Sequence, residues 1–207
     1  SFILTHHADS TRALFEMTKR YSENLDKSIF PQPDKKNDNT LMYDGLGSGY
    51  RVGTAGSVEV GRGMTNQYLH LSEYAFYKDA AKIGMGLMNT VAEIDDTEII
   101  KESTANGQAN DFYSDWMAAK NGASRYQAIF VPWYWQDEYC IDDESFVPHD
   151  EERLWLEQFG PNGLKPGHLN WRRIKMQDIK GDYEQKCRKF RQEYPFTDDE
   201  AFLSSIT

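Results

Sequence analysis

A chain of 207 residues, 39% hydrophobic and 14% aromatic, can bury one sizeable core, or a core with an appendage, and is too apolar to remain disordered. Its formal charge of −10 argues against a protein that coats nucleic acid through lysines and arginines, while leaving room for a local basic contact. Cys140 and Cys187 are too few and too far apart for a zinc pattern or a disulfide framework, no signal peptide is visible, and no run approaches the ~20 apolar residues of a membrane span. The two thiols read as incidental ones in a reducing compartment. The sequence opens at Ser1 directly in the apolar run Phe2-Ile3-Leu4, as though cut from a larger protein.

In chain order, residues 2–5 read as a buried strand and 6–10 as the turn after it. Asp9 or Ser10 is expected to cap a helix over 11–24, where Ala13, Leu14, Met17 and Tyr21 recur at helical spacing. Residues 31–39 are polar, carry two prolines and form a loop. A hairpin is expected over 41–54, turning at Asp44-Gly45-Leu46-Gly47-Ser48-Gly49. The same glycines suggest a phosphate cradle, but a phosphate loop needs GxxxxGK[ST] between a strand and a helix, and strand-like residues follow here. The hairpin is the favoured reading.

Residues 67–71 form the next expected strand, 74–91 a helix in spite of Gly84 and Gly86, and 98–101 another strand. Residues 111–121 read as a helix with Phe112, Trp116 and Ala119 on one face, and 126–131 as a strong strand. This alternation predicts an α/β fold whose sheet has parallel members flanked by helices. After Pro132-Trp133-Tyr134-Trp135 the chain becomes charged and helical, over 148–159 and 164–194. Thr197-Asp198-Asp199-Glu200 has the pattern of a capping box. A division near 140–146 follows, with an α/β core over 1–145 and a helical subdomain over 146–207.

The chemistry concentrates at two strand ends, Tyr68-Leu69-His70-Leu71-Ser72-Glu73 and Glu102-Ser103-Thr104-Ala105-Asn106-Gly107. Ligand sites in open α/β sheets lie beyond the carboxyl ends of strands. There Glu73 can orient and deprotonate a water that attacks a γ-phosphate. P-loop ATPases usually place Asp immediately before that Glu. Here Ser72 occupies the position and brings no charge, though its hydroxyl can hold a metal-bound water. Capping of the following helix by Ser72 and Glu73 is the alternative. Ser103, Thr104 and Asn106 can bond a γ-phosphate, its water or Glu73; a turn that caps the next helix is the alternative there.

Arg62, between Gly61 and Gly63, is either a finger toward a neighbouring subunit's phosphate or a solvated loop residue. His6, His7 and His70 lack metal-ligand spacing and read as structural. Trp171-Arg172-Arg173-Ile174-Lys175 is the basic-aromatic cluster. It offers either a contact to a DNA backbone or phosphate, or a solvated helix face.

Taken together, these segments resemble, in order, the ATPase region of the large terminase subunit of tailed bacteriophages or prophages, the ATP-driven motor that packages DNA into procapsids. The segment Phe2 to Ser10 resembles the strand and turn after the P-loop helix. Thr54-Ala-Gly-Ser with Gly61-Arg-Gly-Met-Thr resembles the approach to Walker B, and Leu69-His-Leu-Ser-Glu-Tyr-Ala the Walker B strand with Ser for Asp. Glu102-Ser-Thr-Ala-Asn-Gly resembles the coupling motif, and Phe130-Val-Pro-Trp-Tyr-Trp the strand after it. Trp171-Arg-Arg resembles the lid or linker, and Glu193-Tyr-Pro-Phe-Thr-Asp-Asp-Glu-Ala-Phe the end of the ATPase region.

The resemblance implies a P-loop NTPase-like sheet, incomplete at its N-terminal side, with a helical C-terminal subdomain. It implies Glu73 as catalytic base, Ser72 as an indirect Mg2+ position, Arg62 as a trans-acting finger, and Ser103, Thr104, Ala105 and Asn106 as the coupling element. Arg172, Arg173 and Lys175 would be DNA or phosphate contacts. ATP and Mg2+ would bind the intact parent, and neither is expected on these residues alone, because the GxxxxGK[ST] amides and lysine, which supply most of the phosphate recognition, are missing; the family's acidic nuclease domain is missing too. The implied partners are double-stranded DNA, the portal protein, the small terminase subunit and further copies in a ring motor, with no membrane, in the cytoplasm of a bacterial host. A non-catalytic binding or assembly module on an ATPase-like sheet is the alternative.

Overall fold

The computed structural model describes residues 1–56, 63 and 65–204, arranged as two compact units, Ser1–Thr104 and Ala105–Thr207. The first unit is an α/β sheet. Its elements are β1 (Phe2–Thr5), α1 (Ala8–Asn24), β2 (Lys35–Lys36), β3 (Thr40–Tyr43), β4 (Ser48–Thr54), β5 (Tyr68–Ser72), α2 (Ala80–Met88) and β6 (Glu98–Glu102). The six strands lie in the order β2-β3-β4-β1-β5-β6. β4, β1, β5 and β6 are mutually parallel, and β2 and β3 join β4 as antiparallel members through the expected hairpin.

The parallel register carries the site. Thr5 stands opposite both Thr54 and Ser72, and Ser72 opposite Glu102, so four strands end level with one another on polar residues. β1 leads on toward β4 on one side, and its neighbour β5 leads on toward β6 on the other. Adjacent strands whose connections depart in opposite directions open a crevice at their carboxyl ends, the usual ligand position in such sheets. Leu4 and Leu71 are wholly buried along these two strands, and Phe15 of α1 packs with Leu41 and Val52 on the hairpin side. Apolar runs on both central strands thus hold the polar strand ends in place.

Three details differ from the sequence expectation. α1 begins at Ala8 and is capped by His7, whose Nδ1 accepts the Asp9 N–H at 3.3 Å, rather than by Asp9 or Ser10. The helix expected over 74–91 is broken. A single 3-10 turn, Tyr74–Phe76, precedes an extended Tyr77, and α2 starts only after Asp79, which is left-handed at φ 57°. The break lets the Tyr77 hydroxyl donate to Leu4 O at 2.6 Å, an anchor unavailable to a continuous helix. Finally, 126–131 forms no strand. Its apolar, β-branched composition favours strands, but a strand also needs a partner edge, and the second unit has none among its described residues.

The second unit contains α3 (Asp111–Lys120), α4 (Asp150–Phe159), α5 (Pro166–Asp178), α6 (Tyr183–Glu193) and α7 (Asp198–Ser204). Its core is aromatic. Trp133 stacks on Trp171 at 5.5 Å and meets Phe190 and Phe196 edge-on, with Leu169 wholly buried nearby. The capping pattern before α7 forms with one variation. Thr197 Oγ1 accepts the Glu200 N–H, while the Glu200 carboxylate accepts from Phe196 N rather than from the cap residue. Asp198 ties α7 to α3, accepting Trp116 Nε1 at 2.9 Å and Lys120 Nζ at 2.6 Å. Among the described residues no helix is long and apolar enough to cross a membrane.

Candidate functional site

The site is built from the ends of β5 and β6. The parallel pairing that sets Ser72 against Glu102 brings the residues after them together. Ser103 Oγ donates to Glu73 Oε2 at 3.2 Å, and Thr104 Oγ1 approaches the same oxygen at 3.5 Å. Ser103 Oγ also accepts the Ala75 N–H at 3.2 Å, so one hydroxyl holds both the Glu73 carboxylate and the backbone beyond it. Glu73 is half-buried and left-handed, φ 57° and ψ 44°, a conformation that L-residues other than Asn and Asp seldom adopt. It receives no side-chain capping bond in this position, so its carboxylate is directed at the β6 end rather than at its own helix turn.

Glu102 is the main residue that sequence reasoning left without a role. Its Oε1 lies 3.2 Å from His70 Nε2, and the sheet register sets Glu102 opposite Ser72. Burial pushes this carboxyl up, but the bonds from His70 and Ser72, the His70 charge and the Glu73 N–H outweigh it and leave the group below its ordinary value. Ser72, Glu102 and His70 have the composition of a nucleophile triad but not its order. The carboxylate sits between serine and imidazole, so the histidine does not serve as base to the hydroxyl. The Ser72 hydroxyl, opposite Glu102 in the register, carries lone pairs that can accept from a metal-bound water.

On the β1 side, Thr5, Thr11 and Thr54 form a hydroxyl chain, with 2.7 Å between Thr5 and Thr11 and 2.7 Å between Thr11 and Thr54. Thr5 is fully buried and also donates to His7 O at 2.9 Å. The His6 ring lies 5.7 Å from that of Phe76, bridging the strand ends of β1 and β5. Among the described residues no group of three or more His, Cys, Asp and Glu is placed to hold a metal ion.

Other expected site residues fall elsewhere. Ala105 and Asn106 belong to the second unit. There the cap of α3 is Asn110 rather than a residue of 103–106: its Nδ2 donates to Asn106 O at 2.8 Å and to Gly107 O at 3.1 Å, and its Oδ1 accepts the Tyr113 N–H. Arg62 lies outside the described residues.

The basic cluster is not an open phosphate-binding face. Arg172 is 5% exposed, with its guanidinium over Trp155 at 4.7 Å and Phe190 at 5.2 Å. Arg173 forks onto Glu152, donating from Nε to Oε1 at 2.9 Å and from Nη2 to Oε2, bonds Val147 O at 3.0 Å, and lies over Phe146 at 4.3 Å. Neither the DNA contact nor the solvated face describes these two arginines. Planar, weakly hydrated guanidinium groups suit aromatic and carboxylate partners inside a fold. Lys175 is half-buried on the same helix.

No known protein family matches the chain, and no curated protein matches it at a significant level.

Proposed function

We propose that the carboxyl edge of β5 and β6 is the hydrolysis and coupling half of an ATPase site of the terminase large-subunit kind, on a P-loop-like sheet. The observation that carries this reading is the Ser103–Glu73 hydrogen bond across two level, parallel strand ends beside the β1/β5 crevice. In it, Glu73 accepts the proton of an attacking water, and Ser103 and Thr104 hold the carboxylate that does so. A displacement of the β6 end then moves the base, which is what coupling requires.

The residues present fit the water-activating side of such a site, with a half-buried carboxylate and several hydroxyls. They do not supply a phosphate cradle, since GxxxxGK[ST] occurs nowhere in the 207 residues. ATP with Mg2+, when bound, would supply the scissile phosphoanhydride, and Mg2+ in such sites is held largely by phosphate oxygens and water. The wider role, translocating double-stranded DNA with a portal, a small subunit and a ring of copies in a bacterial cytoplasm, belongs to the same proposal and rests on the sequence resemblance.

The test uses the full-length gene product that contains these residues. Glu73→Gln should leave ATP binding within about twofold and lower turnover by about 10²-fold or more, the usual worth of a positioned base. Parental turnover in Glu73→Gln overturns the assignment. A full-length protein that neither binds nor hydrolyses ATP instead favours a binding or assembly module, a reading supported by the uncharged Ser72 beside Glu73.

A further inference from the structure

We infer that His168 is an acid-sensitive latch on the helical unit: its neutral ring closes the start of α5 against the aromatic core, and protonation opens it. The inference concerns the second unit alone and stands whether or not Glu73 is a base. His168 is the third residue of α5, after Pro166 and Gly167, with Lys165 as the N-cap. It is 2% exposed, and its Nδ1 accepts the Lys165 N–H at 3.0 Å. Glu or Gln usually makes this return bond from the third helical position. An imidazole that makes it loses it on gaining a proton.

The bond fixes the tautomer. A ring nitrogen that accepts carries no hydrogen, so the neutral ring holds its proton on Nε2. Nε2 is buried without a hydrogen-bond partner among the described residues, and the Trp133 ring lies edge-on to the imidazole at 6.0 Å. A second proton must therefore enter at Nδ1, where it faces the Lys165 N–H, and the cap bond becomes two opposed donors. The imidazolium then has no acceptor at either nitrogen, at the positive end of a helix, in an almost wholly buried position.

The charges around the ring do not compensate. On α5 itself Arg172, 5% exposed, follows one turn later on the same face, and Lys165 precedes. The 3-10 turn Asp137–Tyr139, packed on α5, brings Asp137 toward the ring, and the segment after it brings Asp142. Neither carboxylate bonds the imidazole, and Asp142 Oδ1 receives the Cys140 thiol at 3.8 Å. Glu152 of α4 and Glu200 of α7 are engaged by Arg173 and Arg191, and Cys187 of α6 lies by Arg172. The core side presents Trp133, Tyr134, Phe190 and Phe196. Burial first, then Lys165, push the imidazole below its ordinary value against the pull of Asp137 and Asp142.

A histidine held low in the fold contributes stability that is complete above its unfolded value, about 6.5, and is lost as pH falls from there through the folded value. Glu200, which burial pushes up, acts with the opposite sign as pH falls, so the latch is read as a difference between the parent and His168→Gln, which both contain it. Gln keeps an acceptor at the third helical position and cannot charge. Urea unfolding of the 207-residue chain, followed by tryptophan fluorescence, reports this unit, because all five tryptophans lie in it. Between about pH 7 and pH 5 the unfolding equilibrium constant of the parent should rise at least about fivefold relative to that of His168→Gln. Parallel profiles overturn the inference. Where His168→Gln does not fold, nitrogen NMR of the parent's imidazoles decides. A neutral His168 with its proton on Nε2 at about pH 6 supports the latch, and an imidazolium there, or a proton on Nδ1 of the neutral ring, overturns it.

Discussion

Replacing Arg173 by Ala should destabilise the helical unit by roughly 2–4 kcal/mol. The partner left behind is Glu152, 3% exposed, which otherwise accepts the His149 N–H at 2.8 Å as a cap of α4. Breaking a buried pair costs about 3–5 kcal/mol, because one charge stays buried without compensation. Arg173 keeps 29% of its side chain exposed, so water can enter after truncation and the lower part of that range applies. Loss of the contact over Phe146 adds a smaller increment, about 0.5–1 kcal/mol.

The assay is urea unfolding followed by tryptophan fluorescence. The five tryptophans, at 116, 133, 135, 155 and 171, all lie in the second unit, so the signal reports that unit alone. The pH dependence gives a second readout. The Arg173 hydrogen bond and charge, with the His149 N–H, outweigh burial and hold the Glu152 carboxyl below its ordinary value. A depressed folded-state pKa contributes stability above the unfolded value, about 4.3 for Glu, and loses it as pH falls through the folded one. The gap between parent and Arg173→Ala should therefore be full at pH 7 and shrink below about pH 4. A loss under about 1 kcal/mol, or a gap constant with pH, would refute the buried-pair account and reopen Arg173 as a surface phosphate contact.

Two further outcomes test packing. Gly167→Ala should cost about 1–3 kcal/mol by the same fluorescence assay, since its Cβ would lie 2.6 Å from Cys140 Sγ, 2.7 Å from Asp142 Oδ1 and 3.2 Å from Ile141 O. Gly160→Ala, with nothing within 4 Å, should stay within about 0.5 kcal/mol and serves as control. Thr5→Val should cost about 1–3 kcal/mol, read by circular dichroism or hydrogen exchange of β1, because the bonds to His7 O and Thr11 vanish at a fully buried position. A neutral Thr5→Val would mean that the hydroxyl chain contributes little to holding the strand ends level.

Much of this was legible in the sequence for a local reason. The segments 2–5, 50–54, 67–71 and 98–101 carry apolar, β-branched or aromatic residues and are bounded by turn residues, and each lies wholly or largely in a strand. Expecting Glu73 and Thr104 at neighbouring strand ends required only that these runs be parallel neighbours. The failures share another cause. Whether 126–131 pairs depends on an available edge, and whether Arg172 is solvated depends on Trp155 and Phe190, both distant in sequence. Glu102 was visible as a letter beside Ser103, but its pairing with His70 depends on register, because a slip of one residue turns its side chain to the opposite face.

By itself, then, the sequence determined the α/β class and the polar strand ends, with Glu73 just after the end of β5, all properties of short windows of chain. Tertiary structure decided which strands are neighbours, that Ser72 and Glu102 stand opposite each other, and that Arg172 and Arg173 are structural rather than exposed. Parallel strands are joined by long crossovers, so their adjacency and register are set by packing of the whole sheet rather than by any residue near the join.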